Sequence, residues 1–143
     1  ITRAELLVMA MRAFDIELDT QAVDNFDDAG DAYYTQYLAT AKKLGIVKGV
    51  GGNAFKPDSA ISRQDMVLII YNILKVIDRL PDRPSGKRLS DFADSSSISG
   101  YAEHALKYLV ENGIVSGDGY NLRPKATSTR SEAAQVLYNI LIK

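Results

Sequence analysis

Residues 1–5 read ITRAE, and near variants of that phrase return as ISRQD (61–65) and STRSE (128–132). Each copy holds an arginine at its third place and an acid at its fifth. An apolar stretch follows every time: LLVMAMRAF (6–14), MVLIIYNIL (66–74) and AAQVLYNIL (133–141). Leu6, Met9, Ala10, Ala13 and Phe14 recur at i, i+3, i+4, i+7 and i+8. So do Met66, Ile69, Ile70, Ile73 and Leu74, and likewise Ala133, Val136, Leu137, Ile140 and Leu141. That period is one face of an α-helix, so the phrase marks three helix starts.

The sequence ahead of the phrase repeats as well. YYTQYLATAKKLGIVKG (33–49) aligns with YAEHALKYLVENGIVSG (101–117), and NAFKPDSAISR (53–63) aligns with YNLRPKATSTR (120–130). Tyr34, Tyr37, Leu38 and Ala41, and in the other copy Ala102, Ala105, Leu106 and Leu109, predict a helix over about 33–44 and 101–112. Gly45 and Gly113 supply the left-handed stop, with Ile46 and Ile114 placed for the hydrophobic contact that accompanies it. Pro57 and Pro124 stiffen the glycine-rich loops that follow. The unit is helix, glycine stop, loop, helix, and such a unit needs neighbours to bury its apolar face. The expected division is the second half of a first repeat (1–19), a second repeat (20–80), a linker (81–91) and a third repeat (92–143). The first copy lacks its front half, and we expect a missing N-terminal segment or self-association with another chain to complete it.

Composition narrows the classes. With 46% apolar and 24% charged residues the chain can bury a core and is not a disordered tail. A net charge of −1 argues against a nucleic-acid binder. The absence of cysteine excludes a disulfide framework and a Cys-based zinc site. The most apolar run, 66–77, is broken by Asn72 and Lys75 and is too short to span a bilayer. His104, the single histidine, has no second ligand and reads as a solvated side chain. The acidic stretch DNFDDAGD (24–31) lacks the register of a calcium loop and reads as a turn. No catalytic constellation assembles, so the reading is of a non-enzyme without cofactor or metal.

Most of the repeated phrase is explained by capping. Thr2 with Glu5, Ser62 with Asp65, and Thr129 with Glu132 are capping-box pairs, each worth on the order of 1 kcal/mol. The arginine is not so explained. Arg3, Arg63 and Arg130 fall at the first helical position, where the dipole disfavours a cation. Either an external anion belongs beside them, or each pairs with a carboxylate of the protein, for which Asp27, Asp28 and Asp94 are candidates.

At these residues the chain resembles the S-layer homology (SLH) family. The ordered series carries the resemblance: Phe26, Asp28, Tyr33, Gly45-Ile46-Val47-Lys48-Gly49, Phe55, Pro57, Ser62-Arg63-Gln64-Asp65, and again Phe92, Asp94, Tyr101, Gly113-Ile114-Val115-Ser116-Gly117, Leu122, Pro124, Thr129-Arg130-Ser131-Glu132. The resemblance implies an all-α fold of tandem helix-loop-helix repeats in a pseudo-threefold bundle with grooves between lobes. It implies non-covalent anchoring of a bacterial surface protein, outside the cell, through a secondary cell-wall polysaccharide bearing a pyruvate ketal. Arg3, Arg63 and Arg130 would meet the ketal carboxylate, Gly49 and Gly117 would let sugar approach, and Asp28, Asp94, Tyr33 and Tyr101 would belong to neighbouring grooves. The alternatives are a helical protein–protein assembly module and a peptidoglycan binder.

Overall fold

The computed structural model describes residues 1–142. Among them are five α-helices: α1 (Arg3–Ala13), α2 (Thr35–Leu44), α3 (Arg63–Val76), α4 (Gly100–Glu111) and α5 (Arg130–Leu141). Extended pairing is limited to two isolated bridges, Thr2 with Ala60 and Ser62 with Thr127. The fold is all-α, as the periodicity requires.

The three phrase helices begin at their arginines. Thr2, Ser62 and Thr129 are extended N-cap residues whose hydroxyls accept from the amides of Glu5, Asp65 and Glu132 at 3.1, 3.2 and 3.1 Å. The glycine stops also form. Gly45 and Gly113 have φ of 77° and 74°. The next amides, Ile46 and Ile114, donate back to Ala41 and Leu109 at 2.9 Å, and both isoleucines are buried. This is the six-to-one closure of a Schellman motif.

The three copies meet through their backbones just ahead of the helices. The Ile61 amide donates to the Ile1 carbonyl at 3.1 Å and the Ser128 amide to the Ile61 carbonyl at 2.8 Å. The Ile1 amino group donates to the Ser128 carbonyl at 3.1 Å, which closes a cycle of three. Ile61 is fully buried there; Ser128 takes the equivalent place with a buried hydroxyl that has no partner within the described residues. The loops join the same pattern. Amides of Arg3 and Ala4 donate to the carbonyls of Ser59 and Pro57, and those of Arg63 and Gln64 to Ala126 and Pro124, all at 2.8–3.0 Å. Each loop thus satisfies amides that a helix start leaves without intrahelical partners.

Packing explains where the expected core was too narrow. The face of α1 packs against α2, α3 and α5, and α3 packs against α1 and α4. Leu7 and Met11 on α1, and Val67 and Tyr71 on α3, are therefore buried beside the predicted stripe. On α5 the equivalent face carries no helix among the described residues, and Tyr138 and Leu141 are 56% and 47% exposed. Leu141, expected in the core, is corrected to this open face. The segment 81–91 is laid along α4. Pro81 accepts from the Tyr108 hydroxyl, the Arg83 amide donates to Asn112 Oδ1, and the Ser85 amide donates to the Glu111 carbonyl.

The aspartates of the F-x-D segments act as loop clamps. Asp28 accepts from the amides of Phe55 and Lys56, both at 2.8 Å, and Asp94 from those of Leu122 and Arg123 at 2.9 and 2.8 Å. The Phe55 amide, followed by that of Lys56, holds the Asp28 carboxyl below the usual carboxylate range. A depressed folded-state value stabilises above the unfolded value of about 3.9 and is lost as pH falls through the lower, folded one. Asp28→Asn is expected to lower Tm by about 5 °C at pH 7. The gap to wild type should begin to narrow as pH falls below about 4 and close only once pH has passed below the depressed folded-state value, where the carboxyl is protonated in both states. Thermal melts of the two proteins between pH 7 and pH 2.5 check this.

Candidate functional site

The carboxylates that meet the arginines are the acids of the phrase itself, each from another copy. Arg3 Nη1 donates to Asp65 at 2.9 Å, Arg63 Nη1 to Glu132 at 2.8 Å, and Arg130 Nη2 lies 3.1 Å from Glu5. The pairs run in one direction around the axis and close on themselves. Two of the arginines carry a further tie, Arg3 Nε to the Phe55 carbonyl and Arg63 Nε to the Leu122 carbonyl, both at 2.8 Å. The candidate partners Asp27, Asp28 and Asp94 are thereby replaced. Asp27 instead accepts from Asn53, and Asp28 and Asp94 hold loop amides.

This cycle changes the capping reading. The reciprocal arm of the box exists only at Thr129, whose amide donates to Glu132 at 3.4 Å. Glu5 and Asp65 do not return to their own caps and pair instead with Arg130 and Arg3, whereas Glu132 serves both its own cap amide and Arg63. The pairs are not equal. The Arg3 and Arg63 side chains are 9% and 18% exposed, whereas Arg130 is 64% exposed.

Beside Arg3 lies a cavity of about 940 Å³ to which every repeat contributes. Arg3 comes from α1, Leu44–Val50 from the stop and turn after α2, Asp65 and the 68–76 stretch from α3, and Tyr101, His104 and Ala105 from α4. Arg3 lies over the Phe55 ring, 4.7 Å from its centroid, and its Nη2 has no partner within the described residues. Asp65 also accepts from the Tyr101 hydroxyl at 2.6 Å, and Gln64 Nε2 reaches that same hydroxyl at 3.1 Å. Loss of water around the phenol, followed by its bond to Asp65, pushes the Tyr101 hydroxyl up from the usual phenol range. Its ring is exposed at the groove while its hydroxyl is held. Lys48 and Lys75 add two cations to the lining, and Leu44, Val50 and Val76 an exposed apolar border.

Of the residues singled out in the sequence, Arg3, Gly49 and Tyr101 share this cavity, together with Asp65. Arg63, Arg130, Gly117, Asp28, Asp94 and Tyr33 lie outside its lining. Tyr33 is 65% exposed with its ring edge-on to Tyr34, so it does not anchor its helix in the core. Gly49 is required by its own loop. A Cβ there would stand 2.5 Å from the Ala54 carbonyl oxygen and 2.8 Å from the Phe26 ring, at a φ of +85°. Gly117 faces Asn121 and Phe92 in the same way. Lys48, Tyr71, Asn72, Lys75 and His104 were not read as site residues. Lys48 fills the variable place of G-I-V-x-G, where the other copy has Ser116, and nothing local distinguishes it from a solvated lysine. A more open cavity of about 470 Å³, lined by Arg88, Ser95, Glu103 and Lys107 among others, contains none of the motif residues.

The geometry defines a class: a helical-repeat module whose copies interlock through arginine–carboxylate pairs and share one cationic groove. The comparisons with known proteins agree. The S-layer homology domain matches residues 25–67 and 91–134, and the chain belongs to that family. It is 33% identical over 137 residues to the S-layer protein sap of Bacillus anthracis, covering 96% of this chain and 16% of that protein. It is 31% identical over 144 residues to an amylopullulanase of Thermoanaerobacterium thermosulfurigenes, covering 100% of this chain and 8% of that enzyme. A surface-layer 125 kDa protein of Lysinibacillus sphaericus is 31% identical over 95% of this chain and 11% of its own length. The chain therefore spans a small part of each of these relatives. Family membership places the module at the bacterial cell surface, with the wall and S-layer. No helix among the described residues is long and apolar enough to cross a membrane.

The unequal burial of the pairs yields a stability order. Asp65→Ala strands a buried guanidinium and should cost about 3 kcal/mol, the lower end for breaking a buried pair. Arg130→Ala removes an exposed partner and should cost less than about 1 kcal/mol. Urea unfolding followed by circular dichroism measures both.

Proposed function

We propose that this chain is a non-catalytic anchoring module. It holds a bacterial surface protein to the cell wall by binding an anionic secondary cell-wall polysaccharide, a pyruvylated glycan, in the groove beside Arg3. The observation that carries the reading is the groove itself. A pocket built from three copies of one motif places Arg3, Lys48 and Lys75 around a single space, against one carboxylate that is already engaged. Such a site attracts a fixed negative charge, and the free Nη2 of Arg3 is a planar donor suited to a carboxylate. Tyr101 offers a held aromatic face to a sugar ring. The relatives support the coarse statement, since this chain is similar to part of an S-layer protein and to part of an amylopullulanase.

On this reading the functional units are the repeats at 20–80 and 92–143, with 1–19 supplying Arg3. Arg3 both ties the fold and meets the ligand. Arg63 and Arg130 hold the cycle together and lie outside the lining of the Arg3 cavity. The simple test of replacing every arginine by alanine is therefore compromised, because Arg3 and Arg63 each bridge two segments.

A second reading has one observation in its favour. The open face of α5, with Tyr138, Leu141 and Ile142 exposed, suits assembly with another helix. The two readings separate by experiment. The double variant Lys48→Ala/Lys75→Ala changes only exposed groove residues, and should weaken binding to purified cell walls about ten-fold with Tm unchanged. Walls stripped of polysaccharide should bind neither protein. Undiminished binding by the variant, or by stripped walls, would favour protein assembly or peptidoglycan.

A further inference from the structure

The sole histidine sits in this groove, and nothing in the family motif accounts for it. His104 occupies the α4 position that corresponds to Gln36 on α2. There Gln36 serves the fold, donating to the carbonyls of Asp19 and Ala22 at 2.6 and 3.1 Å. His104 instead lines the Arg3 cavity with Nε2 3.0 Å from the Tyr71 hydroxyl. Its ring also stands edge-on to that of Tyr71, with centroids 5.6 Å apart. Tyr71 is 7% exposed and fixed on α3, so the imidazole is held at the groove by a rigid hydroxyl while its residue remains exposed. That combination is unlike a freely solvated surface histidine.

We infer that His104 is a ligand-binding residue of the Arg3 groove, and that its protonation strengthens the hold on an acidic glycan. The inference rests on the function proposed above and adds a residue and a regulation to it. An imidazole gains its charge across the range between about pH 8 and pH 5. The protonated ring carries hydrogen on both nitrogens, so Nε2 donates to the Tyr71 hydroxyl oxygen and Nδ1 becomes a second donor. The charge joins a lining already cationic. Lys75 and Tyr71 come from α3, Lys48 from the turn after α2 and Arg3 from α1, against the single carboxylate of Asp65. On α4 itself, Tyr101 donates to that carboxylate and Tyr108 packs beside the imidazole, while Glu103 and Lys107 line the separate smaller cavity. A positive charge added to the groove raises affinity for an anion, and by linkage the bound anion favours the protonated ring.

The test is binding to purified cell walls between pH 7.5 and pH 5.5 at constant ionic strength, with wild type and His104→Gln side by side. Glutamine matches the residue of the other copy and keeps a polar group beside Tyr71. Wild type should tighten about three- to ten-fold as pH falls, and the variant should change little, so titration of the wall itself cancels in the comparison. Proton NMR supplies a second readout, because the single imidazole gives one resolvable signal. Adding the walls' solubilised polysaccharide should move its titration midpoint upward. Equal pH slopes in the two proteins, or an unmoved midpoint, would overturn the role of His104 while leaving the anchoring reading intact. Failure of wild type to bind walls at any pH would overturn both.

Discussion

Three guanidinium–carboxylate pairs, each joining the helix start of one repeat to that of the next, are the constraint on which the rest of this structure depends. A single surface pair of this kind contributes little. Here the pairs are coupled to a backbone cycle through Ile1, Ile61 and Ser128 and to loop carbonyls that complete the helix N-termini. Two of the arginines, Arg3 and Arg63, also reach back to Phe55 and Leu122, so each of these two fixes a loop as well as a neighbouring helix. Every contact is between copies rather than within one. A repeat removed from its neighbours would keep its own N-cap but lose its ion-pair partner and its apolar cover together.

The groove is a by-product of that interlocking. Placing Arg3 against Asp65 draws the turn after α2 and the face of α4 to either part of one space. The amides at the start of α1 are already bonded to Pro57 and Ser59, so the dipole end is not the anion site that the position of the arginine suggested. What remains for a ligand is the unused edge of the guanidinium, two lysines, a histidine and a held tyrosine. Function on this account belongs to the junction of repeats and not to any one motif.

Much of this was legible in the residues, for identifiable reasons. Helix starts and stops are local, and Thr2, Ser62, Thr129, Gly45 and Gly113 act as their types dictate. The need for an anion beside each arginine was also visible, since a cation at a helix start calls for compensation. The source of that anion was not. Glu5, Asp65 and Glu132 already had a local use as capping arms, and only the three-dimensional order of the repeats shows that two of them serve another copy instead. Leu141 and Tyr138 have the same spacing as their buried counterparts Leu74 and Tyr71, so periodicity alone could not tell a covered helix face from an open one. Lys48, Lys75 and His104 carry no pattern that separates a groove lining from a solvated surface.

The most direct measurement of the central claim is an amide chemical-shift map of the isotope-labelled chain on addition of a solubilised polysaccharide that carries a pyruvate ketal. The account predicts shifts concentrated at Lys48, Gly49, Tyr101 and His104, and their loss when the ketal is removed. Shifts confined to the open face of α5, or unchanged by removal of the ketal, would contradict it.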